Sequence, residues 1–289
     1  MGYHTCAEIP VYCKYARDYT LADDHFSAST TWSTIAHLYL VSGWSAQCSR
    51  RADPMSCVPS LDIQWNTNPD YAWTDITWLL HAHGVSWAYF ASPTGLLGPL
   101  GDGDGEAPDR FLGLSGWDPM PDFDDVAIDG ETGNIKQTST FHDIAAAGLL
   151  PSVSWLMPPY NSSDHPAQSI ASGQAWVKKQ VDSVMKGPDG PSTMILLTWD
   201  EWGGFYDHVI PPVIDGQGYG FRTPLIVIGA MVKAGNIDHQ LLSSDSYLKL
   251  IEDVFLGGAR LNANDGRPDS RPDVRENAPG LGDLRNDLK

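Results

Sequence analysis

The chemically most suggestive stretch of the sequence is a pair of adjacent acids at the end of an apolar run. Residues 193–199 are predicted to form a buried strand, and Asp200 and Glu201 follow it directly, before Gly203 and Gly204. In a parallel sheet the carboxyl ends of the strands border the ligand crevice, and carboxylate oxygens there bind hard divalent cations. Glycines let the backbone turn tightly beside such an ion. The pattern favours a metal site, with a solvated acidic loop as the alternative.

A second candidate is the hydroxyl-rich segment 27–34, which leads into a predicted helix over residues 34–41 that carries His37. A hydroxyl at the start of a helix commonly caps it and does nothing more. The same position also suits a nucleophile that attacks phosphate, because the N-terminus of a helix attracts anions. The residues alone leave both interpretations open for Ser33.

Two further side chains lie beside predicted strands. His165, in the run Asp164-His165-Pro166, comes after the predicted strand 149–157, which makes it either a surface residue or an acid or ligand at the same crevice. Arg222 precedes the predicted strand 224–230. Its guanidinium is either a structural ion-pair partner or a clamp for an anion.

The elements that would position these residues alternate between helix and strand. Continuous apolar strands separated by helices predict an α/β fold with a largely parallel sheet covered by helices on both faces. Residues 93–117 are rich in Gly, Pro and Asp and predict a surface loop, and the tail from 257 is predicted to wrap the surface or fray. The predicted helices are 8–21, 34–41, 71–83, 167–186 and 245–256, and the predicted strands are 85–91, 149–157, 193–199 and 224–230.

Composition narrows the classes of function. The chain has 289 residues, of which 42% are hydrophobic and 19% charged, so it can bury a sizeable core and is not disordered. Its formal net charge of −18 opposes binding to nucleic acid and to anionic membrane surfaces. A substrate that carries phosphate would therefore need a local cation. No window approaches 18 apolar residues, so no transmembrane span is predicted.

The four cysteines do not form a zinc pattern, because no Cys-x-x-Cys pair occurs. Cys48 and Cys57 flank a short polar loop, and on spacing alone they are either a disulfide or two free thiols. A disulfide would indicate an oxidising compartment, whereas the first residues of this sequence lack the features of a signal peptide.

Taken together, four blocks of the sequence closely resemble the phosphoesterase family that groups bacterial non-haemolytic phospholipases C with certain acid phosphatases. The resemblance extends from near residue 1 to about residue 260, and it is most specific around Asp200. The blocks are Asp200-Glu201-Trp202-Gly203-Gly204-Phe205-Tyr206-Asp207-His208-Val209 with Pro211-Pro212, Trp32-Ser33 with His37-Leu38-Tyr39, Asp164-His165-Pro166, and Gly220-Phe221-Arg222-Thr223-Pro224.

The resemblance implies an alkaline-phosphatase-like α/β sandwich and metal-assisted cleavage of phosphate esters. The family's nucleophilic hydroxyl falls on Ser33, although Thr31 and Thr34 remain alternatives, and cleavage would pass through a covalent phosphoserine. One divalent metal ion is expected on Asp200 and Glu201. His165 is expected to act as the acid for the leaving group.

The resemblance also places Arg222, His37 and Asp164 around the substrate. It implies a phosphate ester as substrate, with phospholipid as one candidate, no nucleic acid partner, and a secreted or periplasmic location. A phosphodiesterase of the phospholipase C type is favoured, with a phosphomonoesterase of the acid phosphatase type or a non-catalytic relative as alternatives. The catalytic domain is expected over residues 1–260, followed by a polar tail over 261–289.

Two departures from the family pattern carry expectations of their own. Ile35 and Ala36 stand where the family has Pro and Asn, which removes one contact to phosphate. The family's first strand, which ends in a Glu-Asn pair that completes the metal site, has no counterpart in this sequence. The chain is therefore expected to start late and to be weak or inactive as it stands.

Overall fold

The computed structural model of the protein describes residues 3–63, 69–92 and 117–289. Within these ranges the chain forms helices α1 (Pro10–Asp18), α2 (Ser33–Ser42), α3 (Ile76–Ala82), α4 (Asp124–Ile128), α5 (Phe141–Ala146), α6 (Ile170–Lys186) and α7 (Ser244–Phe255). The strands are β1 (Thr20–Ala22), β2 (Ala46–Cys48), β3 (Cys57–Pro59), β4 (Trp87–Ala91), β5 (Ile135–Gln137), β6 (Val153–Leu156), β7 (Met194–Thr198), β8 (Leu225–Gly229) and β9 (Asn236–Asp238).

The predicted long elements are present with shifted ends. Each predicted strand contains an observed one, and α2, α6 and α7 lie within three residues of their predicted limits. The helix predicted over 71–83 begins only at Ile76, because the Asp75 side chain accepts a hydrogen bond from the Thr77 N–H at 2.7 Å and caps it there. The loop predicted over 93–117 lies, except for Trp117, outside the described residues.

The helix predicted over 8–21 is too long. It ends at Asp18, and Thr20–Ala22 is strand β1, which pairs with β8 on one side and β9 on the other. Leu21 stands opposite Ile226 in this ladder. The backbone of these three residues is thus satisfied by tertiary pairing, which overrides their local helical pattern.

The strands form two main sheets of different character. One has the order β5–β4–β6 and is parallel throughout. The other has the order β7–β8–β1–β9, in which only the β1–β9 pair is parallel. The α/β class is confirmed, while the parallel direction expected for the strand at 193–199 and its neighbour at 224–230 is wrong. No helix lies between β7 and β8 to make a crossover, so the chain returns antiparallel.

Helices cover both faces of the four-stranded sheet, as predicted. Leu225 and Val227 pack against Tyr247 of α7 on one face. Ile226 and Ile228 point the other way and pack against residues of α1 and α6. This alternation follows from the two-residue repeat of a strand. β7 is the edge strand of this sheet, and its pairing with the fully buried β8 positions the acids that follow it.

The C-terminal segment packs against the body rather than fraying. Leu284 is fully buried, and Leu281 forms a bridge to Leu241. Among the described residues, no helix has the length and apolar character needed to cross a lipid bilayer. The structure pairs Cys48 with Cys57 across β2 and β3, which resolves the open alternative in favour of a disulfide. It also pairs Cys6 with Cys13, which the sequence did not predict.

Candidate active site

The start of α2 and the end of β7 bring Ser33, His37 and Asp200 together. Ser33 is the first residue of α2, and His37 lies one turn later on the same face. His37 Nε2 is 3.6 Å from Asp200 Oδ2, and the Ser33 side chain lies close enough to the same carboxylate to lower its pKa. The cap position belongs to Trp32, whose side chain makes no capping hydrogen bond. The interpretation of Ser33 as a helix cap is therefore wrong.

The electrostatics of the cluster favour an ionised Asp200. Removal from water raises the pKa of this carboxyl, but hydrogen bonding from His37, the charge of His37 and hydrogen bonding from Ser33 outweigh that effect and hold the pKa below its ordinary value. His37 itself is buried, whereas the Asp200 side chain is 33% exposed. A charged carboxylate therefore faces solvent beside a serine hydroxyl.

Tyr89 is a functional residue that the sequence did not reveal. It lies in β4, and its hydroxyl donates a 2.7 Å hydrogen bond to the Trp117 carbonyl. Because a phenol has one proton to donate, the same oxygen must accept from His37 Nδ1, 3.0 Å away. Nδ1 therefore carries a proton. Its hydrogen bond to the Tyr89 hydroxyl holds the imidazole ring with Nε2 turned toward Asp200. Its only sequence signal is a hydroxyl within a buried apolar strand.

Glu201 lies next to Asp200 and turns into the loop. Its Oε2 accepts the Gly203 N–H at 2.6 Å. Burial and the charge of Asp200 raise the pKa of Glu201. Gly203 and Gly204 have φ of 65° and 76°, so the left-handed turn expected from the glycine pair is confirmed.

Asp200 and Glu201 fit a divalent ion by their chemistry. Two adjacent carboxylates repel one another, as the raised pKa of Glu201 reflects, and a cation offsets this repulsion. Together with the Ser33 hydroxyl they offer the oxygen donors that hard cations prefer. Within the described ranges, no third His, Cys or acid completes a tight cluster with them.

His165 and Asp164 occupy a loop on the other side of Glu201. His165 is exposed, its ring centroid lies 5.5 Å from that of Tyr160 with the two rings tilted by 45°, and it is near enough for its charge to act on Glu201. Asp164 has φ of 61°, and its Oδ2 accepts hydrogen bonds from the Tyr12 hydroxyl at 2.6 Å and from Trp199 Nε1 at 3.3 Å. These bonds anchor the loop to α1 and to the end of β7.

Arg222 forms a two-pronged ion pair. Its Nε lies 2.7 Å from Asp207 Oδ2 and its Nη2 lies 3.1 Å from Asp207 Oδ1, while Nη1 donates to the Asp23 carbonyl. Hydrogen bonding from Arg222 lowers the pKa of Asp207 to about 2. The structure thus shows the structural ion pair that was one of the two alternatives for Arg222. A contact with substrate stays a prediction.

Large exposed apolar side chains occur in the segments that carry the candidate site residues. Trp32 precedes Ser33 and is 46% exposed, and Tyr160 contacts His165. Four more follow Asp200 and Glu201 in the connection between β7 and β8. Exposing several large apolar side chains to water costs free energy, so such a group indicates a surface that contacts another molecule. They are Phe205, Tyr206, Ile210 and Val213.

Comparisons with known proteins find bacterial phospholipases C among the relatives of this chain. Phospholipase C B of Mycobacterium tuberculosis is 25% identical over 287 aligned residues, which cover 88% of this chain and 52% of that protein. A non-hemolytic phospholipase C of Burkholderia pseudomallei is 24% identical over 88% of this chain and 41% of that protein. The chain thus spans about half the length, or less, of the curated relatives it matches.

The fold is shared with solved structures. A protein of the alkaline phosphatase superfamily from Vibrio parahaemolyticus superposes with a TM-score of 0.52 at 11% identity, over 85% of this chain and 60% of that chain. This likeness confirms the alkaline-phosphatase-like architecture. The family model described as Phosphoesterase family matches residues 1–256. The chain therefore belongs to the Phosphoesterase family, a family of phosphoric ester hydrolases.

Proposed function

We propose that the chain is the catalytic part of a phosphodiesterase of the phospholipase C type, with Ser33 as its nucleophile. The observation that carries the proposal is the convergence of the Ser33 hydroxyl and His37 on the carboxylate of Asp200. These residues come from separate elements that the family model covers. A serine at a helix start suits attack on phosphorus because the helix N-terminus stabilises the anion.

In the proposed reaction the Ser33 oxygen forms a bond to phosphorus, and the bond from phosphorus to the leaving oxygen breaks. The proton of the Ser33 hydroxyl passes to the carboxylate of Asp200, and His37, whose Nε2 lies 3.6 Å from Asp200 Oδ2, stabilises that carboxylate in its ionised form before this step. His165 gives a proton to the leaving oxygen. Water then cleaves the phosphoserine, which regenerates Ser33 and releases the phosphorylated product.

Asp200 and Glu201 are the residues that would hold a divalent ion. Such an ion supplies charge neutralisation at the phosphate oxygens. The protein's part is to keep both carboxylates at the end of a rigid strand. Arg222, His37 and Asp164 are proposed to border the substrate phosphate, with Asp164 acting through the loop that carries His165.

A lipid phosphodiester is the proposed substrate class. The exposed apolar residues Trp32, Phe205, Tyr206, Ile210 and Val213 support this, since they would contact the apolar part of such a substrate. The names of the matched relatives point the same way. The net charge of −18 favours a zwitterionic over an anionic lipid. Two disulfides support action outside the cytoplasm, in a secreted or periplasmic setting.

The test compares two chromogenic substrates, a phosphocholine diester and a phosphate monoester, with wild type and Ser33→Ala. Preferential turnover of the diester that Ser33→Ala abolishes would support the proposal. A preference for the monoester would favour the acid phosphatase alternative. Turnover that survives Ser33→Ala but not Thr34→Val would assign the nucleophile to Thr34 instead.

A further inference from the structure

We propose that His81, Asp129 and Glu131 form a second divalent-metal site, suited to zinc and separate from the candidate active site. The three residues lie on different parts of the fold. His81 is in the last turn of α3, Asp129 directly follows α4, and Glu131 comes two residues later. Their ligand atoms all lie within 4.8 Å of one another.

The donor atoms of the cluster lie close together, and one of them is held in place by a neighbouring side chain. His81 Nδ1 is 3.2 Å from Glu131 Oε1. The other oxygen of Glu131, Oε2, accepts a 2.8 Å hydrogen bond from Trp87 Nε1. An outer hydrogen bond of this kind holds a carboxylate in a fixed orientation for a metal. Trp87 thus keeps Oε1 turned toward His81.

Asp129 provides an independent reason to expect a cation. Its Oδ2 is shielded from solvent and accepts no hydrogen bond from the described residues. A buried carboxylate oxygen without a partner is costly. A metal ion at the cluster would satisfy this oxygen.

Two further carboxyl groups lie close to the cluster. Asp75 and Asp125 are fully buried close to Asp129, and Asp75 Oδ2 also accepts no hydrogen bond from the described residues. Arg267 pairs with Asp125 at 2.6 Å.

The donor set indicates the kind of metal. One imidazole nitrogen with two carboxylate oxygens suits zinc and its first-row neighbours, whereas magnesium and calcium prefer oxygen alone. The His81 side chain is 47% exposed, so an ion can enter and water can complete its coordination. His83 lies two residues on and uses its Nδ1 to contact the Leu79 carbonyl, so it takes no part.

A metal here would join the end of α3, the turn after α4 and, through Trp87, the first residue of β4. Trp155 packs against both Trp87 and Tyr89. The site would therefore stiffen the strand that also carries Tyr89, the residue that orients His37. This role is structural and does not depend on the proposed reaction.

The test is zinc titration calorimetry on the EDTA-treated chain, with thermal unfolding measured with and without zinc. Wild type and the matched control His83→Gln should bind one zinc equivalent that His81→Gln and Glu131→Gln lose or bind at least about tenfold more weakly. Saturating zinc should raise the Tm of wild type by about 5 °C and that of His81→Gln by much less. Asp200→Asn should leave this equivalent in place, which separates it from the candidate active site.

Two results would overturn the proposal. One is that His81→Gln binds as many zinc equivalents as wild type, at the same affinity. The other is that His81→Gln lowers the Tm equally with and without zinc, since that outcome assigns His81 and Glu131 to an ordinary ion pair.

Discussion

His37 Nε2 faces Asp200 Oδ2 at 3.6 Å, although the two residues come from opposite halves of the sequence. Tyr89 holds the opposite nitrogen of the same ring, so the imidazole is fixed between a tyrosine and a carboxylate. Ser33 lies close enough to that carboxylate to lower its pKa as well. The candidate site is thus a connected chain from a serine to a strand buried in the core, and each member can be tested separately.

Replacing Ser33 by Ala should lower turnover of a phosphate ester by about three orders of magnitude, because it removes the atom that bonds to phosphorus. Steady-state kinetics on the chromogenic diester measure this. Thr34→Val is the matched control, since Thr34 is the buried neighbour on the same helix turn. A Ser33→Ala protein with near wild-type turnover would contradict the assignment.

Replacing Asp200 by Asn should reduce both metal content and turnover, because the amide no longer offsets the charge of a divalent ion. Glu201→Gln should act in the same direction, and elemental analysis after dialysis reports the metal. Asp207→Asn is the control, since Asp207 pairs with Arg222 in the same loop. Equal metal content in wild type and in both site variants would argue against Asp200 and Glu201 as ligands.

The sequence predicted the long elements because their apolar runs are continuous, and it indicated Asp200 because this residue follows such a run. Ser33 was singled out by the family resemblance, since the residues alone left two interpretations open. The sequence could not predict β1, whose three residues are strand only because β8 and β9 pair with them. It missed Tyr89, since nothing local shows which atom a buried hydroxyl contacts.

The cluster of His81, Asp129 and Glu131 could not be predicted either, because nothing in the local sequence shows which distant residues His81 contacts. In the sequence His81 stands beside His83, whereas Asp129 and Glu131, which lie near it in the structure, follow another helix about fifty residues away. The antiparallel pairing of β8 with β7 could not be predicted either, because it depends on how the long connection after Glu201 folds. Contacts between distant segments lie beyond what periodicity can report.

Replacing Tyr89 by Phe should lower turnover about tenfold and destabilise the fold by about 1–3 kcal/mol, because His37 Nδ1–H and the Trp117 carbonyl lose their shared partner. Nitrogen-15 NMR of labelled histidine should show the Nδ1–H form of His37 in wild type and a mixture in the variant. Tyr15→Phe is the control, because the buried Tyr15 hydroxyl has no hydrogen-bond partner among the described residues. An unchanged His37 spectrum in Tyr89→Phe would refute the orienting role.

The C-terminal segment carries a buried acid that makes stability depend on pH. Glu276 is 1% exposed, neither of its carboxyl oxygens accepts a hydrogen bond from the described residues, and Glu252 of α7 lies close to it. Burial, followed by the charge of Asp245, raises the pKa of Glu276 to about 7. Burial, followed by the charge of Glu276, raises the pKa of Glu252 to about 9.

Replacing Glu276 by Gln should therefore stabilise the protein at alkaline pH and change little at pH 5. A carboxyl whose pKa is raised in the folded state holds its proton longer there than in the unfolded chain, so stability falls as the pH rises from about 4.5 to about 7. The amide does not ionise, so the Tm difference between Glu276→Gln and wild type should grow over this range to about 4 °C. Glu8→Gln is the matched control, because Glu8 is exposed and its pKa is lowered by hydrogen bonds from Thr5. If the Tm of Glu276→Gln follows wild type in parallel from pH 5 to pH 8, the carboxyl of Glu276 is not the source of the dependence.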